Sequence, residues 1–275
     1  MKTAVIAIAK NENHYIREWV EYNKGIGFTN VILYDNNDVD GERFEDVIGD
    51  YIDSGFVKLR DCRGMSSFHQ KSYQLCYDEF QNEYDWMAFF DIDEFIEIDE
   101  KYGGVEDFFS EEFFDDADMI RISWKYYDDN DLVRVVNNDY SLRSRFTRAV
   151  DENFVENKWT KGIIRGGLGK ITVNRGVDGA HLVLIPEIKK AVNCKGEVVS
   201  NLTIRNGRCW ENAWLCHYRF KTIEEYVNKR RRGWTVEGYD KKFTDSLFNL
   251  DMFFIFNKRT KEKEDLYNEL ISGLK

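Results

Sequence analysis

The first 95 residues alternate short apolar runs with amphipathic segments, and this alternation constrains the fold more than any other feature of the chain. Four apolar runs predict strands, at residues 4–9, 31–34, 56–60 and 86–90. Helical patterns separate them, with Asn11 as a candidate cap for the first helix and Ser67-x-x-Gln70 as a candidate capping box for a later one. Strand–helix alternation is typical of a parallel, right-handed α/β sheet, whose ligands bind at the carboxyl ends of the strands.

Three of these predicted strands run directly into polar residues: Lys10-Asn11-Glu12, Asp35-Asn36-Asn37 and Asp91-Ile92-Asp93. The last case places two carboxylates at the edge of the sheet, where like charges repel unless a cation joins them. Alternate residues of an extended segment point the same way, so both aspartates could face one Mg²⁺ or Mn²⁺ ion. The alternative is a strand-end turn with solvated acids, as we expect for the other Asp-x-Asp pairs of this acidic chain.

A second group of candidate residues lies near residue 220. The pair Thr222-x-x-Glu225 predicts a capping box and a helix that ends near Gly233. Four cations, Lys229-Arg230-Arg231-Arg232, close this helix and either complement its C-terminus or clamp a leaving diphosphate. His217 precedes the helix and is either structural or a third metal ligand, and an imidazole suits Mn²⁺ better than Mg²⁺.

Composition narrows the function classes. The formal net charge of −11 argues against nucleic-acid binding. The five cysteines form no Cys-x-x-Cys pair, so we expect reduced thiols, and we expect a cytoplasmic protein without a signal peptide or membrane span. The segment 253–256, followed by Lys258 and Arg259, could dock at the inner face of an anionic membrane, or it could simply pack in the core.

Three segments together resemble glycosyltransferase family 92 and related bacterial family-2-like transferases. They are AIAKNENHYIREWVEYNKGIGFTNVILYDNN, FFDIDEFIEI and HYRFKTIEEYVNKRRRGW, in family order. The resemblance implies an α/β fold of GT-A type, with a mostly parallel mixed sheet flanked by helices. It also implies an inverting hexosyl transfer from a nucleotide sugar, UDP-linked in most relatives, with Mn²⁺ or Mg²⁺ as cofactor. The acceptor would be a glycan or a lipid-linked saccharide, as in surface polysaccharide or lipopolysaccharide assembly.

The same resemblance assigns the candidate site. The residues expected to border the nucleotide are Ala9, Lys10, Asn11, Glu12, Asp35 and Lys71. Those expected to hold the metal and the diphosphate are Asp91, Asp93, His217, Lys229 and Arg232. We expect one domain, residues 1–275, in which residues 1–100 bind the donor and residues 101–275 form the acceptor side and C-terminal helices. Acceptor specificity should reside between Gly103 and Asn212.

An inverting reaction also needs a base that deprotonates the acceptor hydroxyl. Glu211, between Trp210 and Trp214, is the first candidate, because flanking tryptophans suit sugar faces. Asp128 and Asp129 are the next candidates, and ordinary surface acids are the alternative for all three. Two other functions remain open at this point: a sugar nucleotidyltransferase, although AKNENHY lacks its glycine-rich loop, and a non-catalytic carbohydrate-binding protein.

Overall fold

The computed structural model describes residues 1–172, 174–175, 182–184, 187–201, 203, 205–231 and 250–272, and a ten-stranded sheet forms its centre. Eight of these strands follow the order β11-β10-β6-β7-β4-β1-β2-β3, and β12 joins β5 to β6. The strands are β1 (Thr3–Ala9), β2 (Asn30–Asp35), β3 (Val57–Asp61), β4 (Trp86–Phe89), β5 (Glu94–Ile98), β6 (Met119–Tyr126), β7 (Thr160–Arg165), β10 (Ala191–Asn193), β11 (Val198–Val199) and β12 (Ala213–His217); β8 (Asn174–Arg175) and β9 (Leu182–Leu184) form a separate pair.

Helices cover both faces of the sheet. The described α-helices are α1 (Asn13–Gly25), α2 (Glu45–Asp53), α3 (His69–Phe80), α4 (Val105–Phe109), α5 (Leu142–Arg145), α6 (Ile223–Arg231), α7 (Leu250–Phe256) and α8 (Lys261–Ser272). Two short 3-10 helices, Glu112–Phe114 and Val155–Lys158, complete the described elements.

Strand β1 lies at the centre of the parallel part of the sheet. Its sequence, TAVIAIA, is apolar at both alternating sets of positions, and every one of its residues is buried. Because successive side chains of a strand point to opposite faces, Val5 and Ala7 enter one core cluster, whereas Ala4 and Ile6 enter the other. Burial on both faces therefore explains why this strand is a continuous apolar run.

The sheet is mixed. Strand β1 pairs in parallel with β2 and β4, and β2 pairs in parallel with β3. Strand β7 is antiparallel to both β4 and β6. The end of β6 leaves β7 and pairs in parallel with β12, which runs antiparallel to β5 and places His217 opposite Glu94. The predicted α/β class, a mixed sheet flanked by helices, is confirmed.

Several local predictions are corrected by the structure. The sequence of residues 141–147 predicts a strand, but Ser141 accepts a hydrogen bond from the Ser144 amide and begins the short helix α5. Asn11 does not cap α1, and α3 begins at His69 without a side-chain cap. Asn11 and Ser67 instead have positive φ angles of 52° and 54°, which asparagine tolerates in turns.

Helix α7 contains the aromatic segment considered for membrane docking. Phe253 and Phe256 are buried in the core, while Ile255 is 60% exposed. Within the part of the chain that the structure describes, no helix is long and apolar enough to cross a membrane.

Candidate active site

The polar ends of β1, β2 and β4 meet at one edge of the sheet, as the strand order requires. Ala9 lies beside Asp35 in the parallel register, and the Asn36 amide donates to the Ala9 carbonyl at 2.9 Å. The next residue pair is joined by the Asn11 amide, which donates to Asn37 Oδ1 at 2.7 Å. This edge is therefore one continuous polar surface built from the first two strand ends.

Asp35 is fixed at this edge by a strong set of contacts. It is buried, its Oδ1 accepts from the Asn37 amide at 2.9 Å, and its Oδ2 accepts from Arg63 Nε at 2.7 Å. Arg63 also reaches Glu45 at 3.0 Å. Sequence reasoning missed Arg63, because its place opposite Asp35 depends on the pairing of β2 with β3.

The remaining nucleotide-side predictions lie around the same edge. Glu12 is buried, and its carbonyl accepts the first hydrogen bonds of α1 from Tyr15 and Ile16. Lys10 forms an ion pair of 2.7 Å with Asp38. Lys71 lies on the first turn of α3, is exposed, and places its ammonium 5.3 Å from the Phe68 ring centroid.

Asp91 lies half-buried against a cluster that the motif alone does not indicate. Lys161 Nζ, from β7, contacts Asp91 Oδ2 at 2.9 Å, and His69 Nε2, at the start of α3, lies 3.8 Å from Oδ1. The Lys161 side chain is only 1% exposed, so its ammonium depends on carboxylate partners.

Glu94 is the second carboxylate of this Lys161 cluster. It is fully buried and lies 3.3 Å from Lys161. Its oxygens accept from the Asp91 amide at 2.8 Å and from Trp124 Nε1 at 2.9 Å. Burial raises the pKa of Glu94 above its ordinary value, although Lys161 opposes the shift. The hydrogen bond from the Asp91 amide to the Glu94 carboxylate fixes the backbone at Asp91.

Asp93 is buried and faces a different set of partners. Its Oδ2 accepts hydrogen bonds from Lys229 and, at 3.4 Å, from Lys221, while its Oδ1 lies 3.8 Å from His217 Nε2. Burial alone would raise the pKa of Asp93, but Lys229 and Lys221 hold it well below the ordinary value. Burial lowers the pKa of His217 to about 3, so this imidazole is neutral.

Helix α6 carries Lys229 and begins two residues after Lys221, and its predicted capping box is formed. Thr222 and Glu225 exchange hydrogen bonds, with Thr222 Oγ1 donating at 2.8 Å and the Glu225 amide donating back at 3.2 Å. Glu225 also accepts from Arg145 at 2.8 and 2.9 Å and from the Tyr15 hydroxyl at 2.7 Å. This buried network fixes the start of α6 against α1 and α5.

The side chains of the cation run that the structure describes point to different partners. Lys229 reaches Asp93, Arg230 points to Met252 on α7, and Arg231 donates to the Leu270 carbonyl on α8 at 2.7 Å. Arg232 lies outside the described residues. Among the described members of the run, Lys229 is the one whose contact with Asp93 is seen.

The fit of a divalent metal can be tested on these ligands. Among the described residues, no group of three or more His, Cys, Asp or Glu side chains is arranged to hold an ion. Asp91 contacts His69 and Lys161, and its predicted role as a ligand of the same ion stays a prediction. Asp93 Oδ1 and the neutral His217 Nε2 are compatible with two ligands of one ion, whose other positions would be filled by phosphate oxygens and water.

The three residues predicted as bases lie in different parts of the described structure. Strand β12 runs about 13 Å from Ala213 to His217 at the usual rise per strand residue, and Glu211 precedes its Ala213 end. Asp128 forms an ion pair with Arg148 at 2.6 Å, and the fully buried Asp129 forms one with Lys263 at 2.5 Å. The two aspartates are thus held in ion pairs, and the assignment of Glu211, Asp128 or Asp129 as the base stays a prediction.

The family model of glycosyltransferase family 92 matches residues 5–175, more than half of the 275-residue chain. A family 92 protein from Oryza sativa subsp. japonica is 28% identical over 92 residues, and one from Ricinus communis is 27% identical over 94 residues. Each alignment covers 34% of this chain but only 15% and 17% of these relatives, respectively.

Solved structures show weaker similarity. S. aureus TarS 1–349 in complex with UDP-GlcNAc has a TM-score of 0.48 at 15% identity, covering 98% of this chain and 79% of that one. The mannosyltransferase PcManGT from Pyrobaculum calidifontis, in complex with GDP-Man and Mn²⁺, has a TM-score of 0.41 at 10% identity, covering 84% and 60%. We draw no functional conclusion from similarities this weak.

Proposed function

The chain belongs to glycosyltransferase family 92, and from this premise we propose that it transfers a hexose from a UDP-linked sugar to a hydroxyl of a saccharide acceptor. The observation that carries the proposal is the surroundings of Asp93. A buried carboxylate, two ammonium groups and a neutral imidazole meet where the strands of the sheet end.

The lysines supply the electrostatic part of the proposed reaction. Negative charge develops on the departing nucleoside diphosphate, and preorganised cations stabilise that charge in a site shielded from water. Lys229 is suited to this contact because its side chain is one-third exposed while its ammonium is held by Asp93. Lys221 is only 3% exposed and keeps a second positive charge beside the same carboxylate.

The nucleoside would lie along the edge formed by β1 and β2. Asp35 is held rigid by Arg63, and a fixed carboxylate can accept hydrogen bonds from a ribose or a base. Asn11 and Lys71 would flank it from the two sides, with Ala9, Lys10 and Glu12 as the adjoining wall. Asp91, one-third exposed, lies between this edge and Asp93.

A divalent cation, Mn²⁺ or Mg²⁺, is part of the proposal, with Asp93 and His217 as its protein ligands. When bound, such an ion neutralises charge on the diphosphate. The His217 imidazole can bind a metal ion because its low pKa leaves the ring neutral at physiological pH. Arg219 and Lys229 contribute to that low pKa after burial, and they would also repel a proton from the ring.

Incubation of the purified protein with UDP-glucose, UDP-galactose, UDP-GlcNAc and GDP-mannose, each with Mn²⁺, Mg²⁺ or EDTA, tests the proposal. We expect slow hydrolysis of at least one UDP-sugar that EDTA suppresses, with inversion at the anomeric carbon. Release of pyrophosphate from UTP and a sugar 1-phosphate would instead indicate a nucleotidyltransferase. Binding of sugars with no turnover of any donor would indicate a carbohydrate-binding protein.

The metal ligands have their own test. His217→Ala should raise the Mn²⁺ concentration that gives half-maximal hydrolysis, with a smaller loss of rate at saturating metal, since one neutral ligand is removed. His69→Ala is the matched control, because His69 faces Asp91 and not Asp93. A metal titration of His217→Ala that overlays the wild type would remove this residue from the proposed ligand set.

A further inference from the structure

Glu94 and His217 are directly opposite each other in the antiparallel pair of β5 and β12. Cross-strand partners of this kind point to the same face of a sheet, with Cβ atoms about 5 Å apart. Both side chains are buried. The register of these two strands therefore places a carboxylate and an imidazole side by side in the core.

The two ring nitrogens of His217 each face one carboxylate. Nδ1 lies 3.9 Å from Glu94 Oε1, and Nε2 lies 3.8 Å from Asp93 Oδ1. Both distances are longer than a hydrogen bond. A neutral imidazole carries a single N–H, so one nitrogen can donate while the other presents a lone pair. The position of this proton decides whether Nε2 can bind a cation beside Asp93.

The environment of Nδ1 favours the proton. Nδ1 is buried, and among the described residues it has no hydrogen-bond partner. An unsatisfied buried polar atom is costly, and a shift of about 1 Å would bring Nδ1 within hydrogen-bonding distance of Glu94. The Glu94 oxygens already face the N–H groups of Asp91, Trp124 and Lys161. This carboxylate therefore acts as an acceptor, and the ring nitrogen beside it is expected to be a donor.

The charges on the two sides of the ring favour the same arrangement. Asp93 is contacted by two ammonium groups, those of Lys229 and Lys221. On the Glu94 side, the single ammonium of Lys161 is shared by two carboxylates. The positive charge near Nε2 repels a ring proton, and the negative charge near Nδ1 attracts it.

Two aromatic rings hold the imidazole in this orientation. The ring centroids of Trp124 and Tyr126 each lie 4.7 Å from that of His217. Trp124 also donates its Nε1–H to Glu94 Oε1 at 2.9 Å, so it contacts both members of the pair. In a close-packed core such neighbours leave the ring little freedom to turn away from the two carboxylates.

We propose that Glu94 is a positioning residue, which fixes His217 with its proton on Nδ1 and thereby leaves the Nε2 lone pair facing Asp93. A histidine that binds a metal ion commonly donates its other ring N–H to a carboxylate, which fixes the tautomer and the ring orientation. The inference rests on the proposed function in one respect, since only a ligand of Nε2 makes use of that lone pair. The imidazole then joins the Lys161 cluster to Asp93 and its lysines.

Two-bond ¹H–¹⁵N correlation NMR reports the tautomer of a histidine, and it is applied to the full chain at neutral pH in EDTA. The His217 signal is assigned by its loss in His217→Ala. We expect the Nδ1–H form to exceed the Nε2–H form by about tenfold or more, the preference that one charge-assisted hydrogen bond supports. A wild type in which the Nε2–H form is equally populated or dominant would overturn the proposal.

Glu94→Gln gives the sharper test. The Asp91 amide and Lys161 lie on Oε2, whereas Trp124 donates to Oε1, so the glutamine oxygen is expected to take the Oε2 position. Its NH₂ group would then lie nearest His217 and donate to Nδ1, and the tautomer should invert to Nε2–H. Trp124→Phe is the matched control, because it removes a different bond to Glu94 and retains the carboxylate. The Nδ1–H form should persist in this control.

Thermal unfolding of each variant shows whether it is folded. A persistent Nδ1–H form in folded Glu94→Gln, or inversion in Trp124→Phe as well, would overturn the role of Glu94. If Glu94→Gln does not fold, the tautomers of the wild type and of Trp124→Phe decide.

The Mn²⁺ dependence of UDP-sugar hydrolysis is measured on the same proteins. Glu94→Gln should raise the half-maximal Mn²⁺ concentration about 10- to 100-fold, as for the loss of a carboxylate that orients a metal-binding histidine. The expected tautomers without turnover of any donor would count against the proposed function and leave the positioning role of Glu94 standing. Metal-dependent turnover with the Nε2–H form in the wild type would overturn the positioning role alone.

Discussion

Asp91 and Asp93 are two residues apart in the chain, yet they belong to two different regions of the site. Asp91 is one-third exposed and shares Lys161 with the buried Glu94. Asp93 is 4% exposed and is surrounded by Lys221, Lys229 and His217. We call these the Lys161 cluster and the α6 cluster.

The difference teaches that the two carboxylates of an Asp-x-Asp motif can have separate protein partners. Residue 91 precedes β5, and the Glu94 side chain folds back to bind the Asp91 amide at 2.8 Å. This turn breaks the extended geometry that would point both carboxylates the same way. The two carboxylates consequently contact different residues. Substitutions in the two clusters should therefore have different effects.

Asp93→Asn should have the largest effect on activity. We expect a loss of donor turnover of at least about a hundredfold, because the carboxylate that organises both lysines and the metal position is removed. The substitution should also reduce stability by about 3 kcal/mol, since it leaves Lys221 buried without its charged partner.

Asp91→Asn is the matched comparison. Its carboxylate is one-third exposed, so we expect a stability loss of about 1 kcal/mol or less after solvent screening. Initial rates with a UDP-sugar and chemical denaturation would measure both variants. Equal losses of rate and stability at the two positions would mean that the clusters act as one unit.

Lys161→Met should have the largest effect on stability in the Lys161 cluster. The ammonium is almost fully buried between Asp91 and Glu94, and its removal would leave two carboxylates repelling each other. Breaking a buried ion pair by removing one partner costs about 3–5 kcal/mol. Urea unfolding would measure the loss, and the double variant Lys161→Met with Glu94→Gln should recover part of it. A single variant as stable as the wild type would contradict the assigned pairing.

The sequence predicted the parallel half of the fold because its signals are local. The predicted strands at residues 4–9 and 31–34 match Thr3–Ala9 and Asn30–Asp35 within one residue. These strands are apolar on both faces because both faces are buried. The capping box of Thr222 and Glu225 was equally readable, since both partners lie within one turn.

The Lys161 cluster could not be predicted, because its partners are brought together by pairing between distant strands. Lys161 lies 70 residues after Asp91 and reaches it only because β7 is inserted antiparallel between β4 and β6. The helix α5 was missed for a similar reason. Its first amides bind Glu18 of α1 at 2.7 and 3.2 Å, a tertiary contact that overrides the strand pattern of residues 141–147.

Lys229→Ala tests whether the charge of Lys229 acts on the bound donor or only stabilises the C-terminal end of α6. We expect donor turnover to fall about 10- to 100-fold, as for the loss of one charged hydrogen bond, with a small change in stability because the side chain is one-third exposed. Arg230→Ala is the control from the same cation run, because its side chain points to Met252 and lies over the Tyr226 ring. We expect Arg230→Ala to change stability without a specific loss of turnover. Equal losses of turnover in both variants would indicate that the cations of this run act only through their charge at the end of the helix.

The pH dependence of Glu225→Gln tests how the α6 cluster is held. Burial alone would raise the pKa of Glu225, but the hydrogen bonds from Arg145 bring it below the ordinary value of 4.5. A carboxyl whose pKa is lower in the folded state stabilises the fold above its unfolded pKa, and this contribution is lost as the pH falls through the folded pKa. At pH 7 we therefore expect Glu225→Gln to be about 1–2 kcal/mol less stable than the wild type, because the neutral amide loses a charge-assisted bond to Arg145. The difference should shrink as the pH falls below about 4.5, where the carboxyl of the unfolded wild-type chain begins to gain its proton, and it should be lost below the lower pKa of the folded state. Thermal unfolding of both proteins between pH 3 and pH 7 would measure this convergence, and a stability difference that stays constant over the whole range would show that the charge of Glu225 does not hold α6 against α1.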